Sequence, residues 1–146
     1  PILIPETART EVLTGTPRPT NALDRLGLGE REAIMRDLRD TLGEDLATPI
    51  DAERLAEGRI PLHRNLAREQ AQLPRVRATF RTIYGHDPVF SDENENLAWN
   101  TLMYRIRFPR NLGLERQGIT EFIHTFHRRP RDSFQWATVR VFGYVR

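Results

Sequence analysis

Cysteine is missing from this 146-residue sequence, which excludes disulfides, thiolate metal sites and a cysteine nucleophile and leaves the redox compartment undetermined. Lysine is missing too, so all 22 basic side chains are arginines. Their planar guanidiniums bind carboxylate and phosphate bidentately and stay charged at any working pH. A GC-rich genome that favours Arg codons accounts for that usage more simply than selection against amines. No apolar run approaches the ~20 residues of a membrane helix, and no basic-then-apolar leader is visible, although a chain beginning at Pro1 could have lost a Met or a longer presequence. The expectation is a soluble chain with its compartment open.

What is present fits one globular domain: 38% of residues are hydrophobic and 29% charged, and the length suffices for a single core. Charge is uneven, with 10 Arg against 13 acids in residues 1–73 and 12 Arg against 7 acids in residues 74–146. The basic second half points weakly to an acidic partner surface.

Residues 1–20 hold four of the ten prolines and show no helical period, so they read as an extended arm. Ile2, Leu3 and Ile4 near its start predict that it is pinned on its own domain or reaches a neighbour. Residues 21–146 are expected to form a single helical domain, with residues 21–63 as its N-terminal region. There Ile34, Met35, Leu38 and Leu42 mark one face of a helix that Gly43 ends. Thr48-Pro49-Ile50-Asp51 is an N-terminal capping signal, and Gly58 closes the short helix that follows.

From residue 64 onward one pattern is written twice, over residues 64–109 and 110–146. Arg64-Asn65-Leu66, Glu69, Phe80, Tyr84, Pro88, Trp99 and Leu102 are answered by Arg110-Asn111-Leu112, Glu115, Phe122, Phe126, Pro130, Trp136 and Val139. The first copy carries insertions between Glu69 and Phe80 and between Pro88 and Trp99. Asn65, the pair Asp92 and Glu95, and the pair Asp132 and Gln135 are predicted caps. Pro74 is expected either to kink a helix or to start a new one. Each copy therefore reads as an αα-hairpin, and the fold class as all-α: helical hairpin repeats behind an extended arm. Trp99 and Trp136 are expected at matching core positions. The run from Thr138 to Val145 has strand-like composition, but its counterpart in the first copy is amphipathic, so helix is predicted. Such a helix is apolar nearly all round and belongs in the core or under a partner. Phe142 and Tyr144 are assigned to a partner-binding surface on that ground.

Copy two, with its Arg-Asn-Leu, Glu115, Ile119, Phe122, Phe126, Pro130, Trp136, Val139-Arg140 and Tyr144, resembles a short tandem helical repeat of surface and S-layer-like proteins from bacterial candidate phyla. Copy one departs through its insertions and has Met103 where the Arg after the aliphatic would stand. A fainter similarity is to the phycobilisome linker domain, through Gly85, Ser91-Asp92-Glu93, Leu97-Ala98-Trp99 and Gly118-Ile119-Thr120-Glu121-Phe122-Ile123. Residues 1–63 match neither. Both resemblances imply a helical, non-enzymatic part of a protein assembly, and the first implies a cell-surface or extracellular location.

Candidate chemistry is sparse. His124 and His127 share a helix face but lack a third ligand. Asp92-x-Asn94-x-Asn96 opens like a calcium loop but has Leu97 and Met103 where Gly and Glu are required, so capping is preferred. An N-terminal Pro1 amine serves as general base in tautomerases, but those continue into a β-strand, which Pro5 interrupts here. No Ser-His-acid order, phosphate-binding Gly loop or paired-carboxylate motif stands out, and no catalytic residue, metal or cofactor is assigned. Arg128, Arg129 and Arg131, flanked by Phe126 and Phe134, are the remaining candidate: a protein-partner site, or a nucleic-acid site through phosphate contacts and base stacking. A net charge of +2 is low for nucleic-acid binding, so a protein partner is favoured.

Overall fold

The computed structural model describes residues 23, 26–43, 48–60 and 63–146. The arm with Pro1, Ile2, Leu3 and Ile4 lies outside the described residues. Helix α1, Leu28–Leu42, buries Ile34, Leu38 and Leu42 along one stripe, and Gly43 (φ 89°) ends it with an N–H bond to the Arg39 carbonyl. Helix α2, Pro49–Glu57, starts at a full capping box. The Thr48 hydroxyl accepts from the Asp51 N–H, and the Asp51 carboxylate accepts from the Thr48 N–H. It closes at Gly58, where φ is 80° and a Cβ would come within 2.7 Å of the Phe108 ring, so both backbone and space require glycine.

Helix α3, Leu66–Tyr84, runs unbroken through Pro74. Of the two outcomes expected there, a restart is excluded: one backbone bond is lost, and the stripe of Val76, Phe80 and Ile83 carries burial through the site. Helix α4, Glu93–Tyr104, stops at Arg105, and α5, Leu112–Phe126, stops at His127. Both stops are non-glycine residues in the left-handed region, with φ of 61° and 59°.

The last segment is helical: α6, Ser133–Arg140, widens into a π-helical turn, Val141–Val145. Burial overrides the strand-like composition, since Val139, Val141, Phe142 and Val145 all lie in the core. The turn lies against α5 where two glycines meet. A Cβ on Gly118 would sit 2.5 Å from the Val139 carbonyl and 3.1 Å from the Gly143 nitrogen. Among the described residues there is no strand, and one cluster of buried side chains takes members from all six helices.

Candidate interaction surfaces

One joint recurs at the start of α3 and of α5. Asn65 caps α3 by accepting from the Arg68 N–H at 3.0 Å, and Asn111 caps α5 by accepting from the Leu114 N–H at 3.0 Å. The residue before each cap reaches over the first turn: Arg64 donates to Glu69 at 2.9 and 2.5 Å, and Arg110 donates to Glu115 at 3.1 Å. These are the two positions that a hydrophobic staple would occupy, filled by an ion pair. A tyrosine closes each joint. The Asn65 N–H donates to the Tyr104 hydroxyl at 3.2 Å, and the Asn111 N–H donates to the Tyr144 hydroxyl at 2.9 Å. Tyr104 in turn donates to Glu69, whereas Tyr144 donates to the Asn111 carbonyl at 3.3 Å. Burial, reinforced by Glu69, pushes the Tyr104 phenol up to about 12. The hydrogen bond from Arg64 holds Glu69 below the usual carboxylate range.

These tyrosines reset the register of the second helices. Each stands 12 residues after its capping aspartate, Asp92 or Asp132, so α4 and α6 correspond at an offset of 40 residues rather than the 37 that pairing Trp99 with Trp136 requires. Trp99 then matches Val139, and Trp136 matches the partly exposed Asn96. The expectation of two equivalent core tryptophans is therefore corrected. Trp99 packs edge-on against Phe80 (6.0 Å) and Phe90 (5.4 Å), but Trp136 is 40% exposed. In the second pair the aromatic neighbours are Phe126 on Phe122 (4.7 Å) and Phe142 against Phe126 (6.5 Å).

Trp136 faces a groove of about 240 Å³ between the start of α1, the segment joining α4 to α5, and α6. Leu26, Phe108, Val139 and Tyr144 supply its apolar lining, with Phe108 stacked on Tyr144 at 5.1 Å. A buried charge network holds the walls together. Asp37, 4% exposed, accepts from Arg107 (2.5 Å), Ser133 (2.7 Å) and Arg105 (3.3 Å). Burial alone would raise the Asp37 carboxyl, but Arg107, Ser133 and Arg105 outweigh it and hold it below its ordinary value. Arg107 also pairs with Glu30 at 3.1 Å. Arg140 donates to the Ile106 carbonyl at 2.9 Å, and burial pushes its guanidinium down to about 9. It remains charged at neutral pH.

The sequence-derived candidates scatter. Phe142, expected at a partner surface, is 4% exposed and belongs to the chain's own core. Tyr144 is half-buried and spends its hydroxyl on the Asn111 joint. Ile2, Leu3 and Ile4 lie outside the described residues. Arg128, Arg129 and Arg131 are exposed, and none forms an ion pair among the described residues. The Asp92 side chain caps α4 by accepting from the Glu95 N–H. Among the described residues no three His, Asp or Glu side chains are grouped to hold a metal ion, and no helix is long and apolar enough to cross a membrane. Sequence reasoning missed Phe108, Leu26, Tyr104 and Asp37. Two signals were available: an acid inside the α1 apolar stripe, and the equal spacing from Asp92 to Tyr104 and from Asp132 to Tyr144. With the geometry in place, comparison with protein-family models, with curated proteins and with solved structures yields no match.

Proposed function

We propose that the chain is a non-catalytic, all-α interaction module, a subunit or linker of a larger protein assembly, built from two copies of one helix-pair unit behind α1 and α2. The observation that carries this reading is Trp136, a 40% exposed indole at a groove whose floor of Leu26, Phe108, Val139 and Tyr144 is rimmed by charged side chains. Buried aromatic anchors dominate protein interfaces. The rim specifies the partner's chemistry. Arg107 is paired with Glu30 and Asp37, Arg110 with Glu115, and Arg140 donates to the Ile106 and Arg105 carbonyls, so the rim's charges are engaged within the chain and the groove suits an apolar, uncharged segment of another protein. A cell-surface location accompanies the S-layer-like resemblance.

The test is a photo-crosslinking residue placed at position 136, and separately at exposed Thr120, in cells that make the protein. Discrete protein adducts from position 136 alone support the module. Equal labelling from both positions contradicts it.

A second reading, nucleic-acid binding, is favoured by the three exposed arginines 128, 129 and 131, which lack ion pairs among the described residues. It predicts heparin or DNA retention that falls steeply with salt and disappears when all three are changed to Gln.

A further inference from the structure

A second concave site lies away from the Trp136 groove, between the middle of α3 and the α5–α6 turn. Its volume is about 180 Å³, and Phe122, Phe126 and Phe134 line it together with Arg75, Arg128 and Asp132. Thr79, Gln135 and Thr138 complete the lining, and since a cavity of about 150 Å³ holds benzene, the space has the size of an aromatic ring with a small substituent. The Arg75 guanidinium lies 3.9 Å from the centre of the Phe134 ring. Neither Arg75 nor Arg128 forms an ion pair among the described residues. Burial, then repulsion from Arg105, lowers the Arg75 pKa, and the attraction of Asp132 offsets this only in part. Asp132 is already engaged as the α6 cap, accepting from the Gln135 N–H at 2.8 Å.

We propose that this cleft binds a small monocarboxylate carried on an aromatic or branched apolar body, its carboxylate between Arg75 and Arg128 and its body on the three phenyl rings. Two guanidiniums against one carboxylate leave a single positive charge to neutralise, which suits a monoanion. A phosphate dianion would face Asp132 with one charge in excess. The planar forks of Arg match carboxylate geometry. The site is independent of the Trp136 groove and of the assembly reading.

Calorimetric titration of the full chain with phenylacetate, with neutral phenylacetamide and with inorganic phosphate tests the proposal. Saturable phenylacetate binding is expected, weakened at least about tenfold for phenylacetamide and for the Arg75→Gln/Arg128→Gln double variant. Arg116→Gln, exposed on α5 and outside the cleft lining, should leave it unchanged, and phosphate should not compete. An acetylated Gly-Phe dipeptide with a free carboxylate separates the sources. Tighter binding than phenylacetate assigns the site to a protein C-terminus, and weaker binding assigns it to a free acid. Absence of binding by both acids, insensitivity to the double variant, or equal competition by phosphate overturns the site. A cleft variant that retains the far-UV spectrum of the parent excludes misfolding as the cause of lost binding.

Discussion

Helix pairs α3–α4 and α5–α6 begin alike and diverge as they proceed. Both start from an Asn cap, an Arg–Glu clasp over the first turn, and a tyrosine hydroxyl on the cap N–H. Both place two aromatics one turn apart near the end of the first helix, Phe80 with Tyr84 and Phe122 with Phe126. Their turns then part company. The first carries exposed Val89 and Phe90, with Phe90 against Trp99, and the second carries three exposed arginines. Four residues before Phe80 the first pair has buried Val76, and four before Phe122 the second has Gly118; at the 40-residue offset buried Met103 is answered by Gly143, which lies against Gly118. The polar joint sets how two helices meet, which leaves the outer faces free to change. In the second pair that freedom turns a tryptophan outward.

The strongest test of likeness is truncation of the matching first-helix aromatics. Phe80 and Phe122, 0% and 1% exposed, should each cost about 3–5 kcal/mol on change to Ala, read by urea unfolding. A cost under ~1 kcal/mol for either one would break the correspondence.

At the crossing the pairs should differ. Gly118→Ala pushes a methyl onto the Val139 carbonyl and should destabilise by about 1–3 kcal/mol, as overpacking does, although Ala is otherwise the better helix former. A stabilised Gly118→Ala protein would mean that α5 and α6 do not approach as closely as described.

The joints are alike but unequal in strength. Tyr104→Phe removes a hydrogen bond to a charged carboxylate and should cost about 1.5 kcal/mol, the low end for such bonds because Glu69 is partly exposed. Tyr144→Phe loses only backbone bonds and should cost about 0.5–1 kcal/mol. The reverse order would remove Glu69 from the first joint.

The smallest effect is on acid stability. The folded Glu69 pKa lies below its ordinary value, so its contribution is complete above the usual carboxylate range and is lost as the pH falls through the lowered folded value. Tyr104→Phe should make that acid slope shallower without abolishing it, because the Arg64 hydrogen bond remains, and Tyr144→Phe should leave it in place.

Much of this was legible in the sequence. The caps at Thr48, Asn65, Asp92 and Asp132 follow from side chains that bond neighbouring N–H groups, and the stripes at Ile34-Leu38 and Phe80-Tyr84 follow from the 3.6-residue period. The register of α6 was not. Tryptophan is the heaviest marker in both copies, and matching it outweighed the quieter Asp-to-Tyr spacing, whose meaning depends on a hydroxyl reaching a cap that lies far away in the chain. The Trp136 groove was hidden for a related reason. It is assembled from α1, the α4–α5 connection and α6, and no local pattern announces that Leu26, Phe108 and Trp136 converge.

The contrast between the two tryptophans is the most direct test. In Trp99→Phe and Trp136→Phe variants, each retaining one indole, acrylamide should quench Trp136 several-fold more steeply than Trp99, and the Trp136 emission should lie further to the red. Equal shielding of both indoles would restore them to matching core positions and contradict both the outward Trp136 and the docking surface proposed around it.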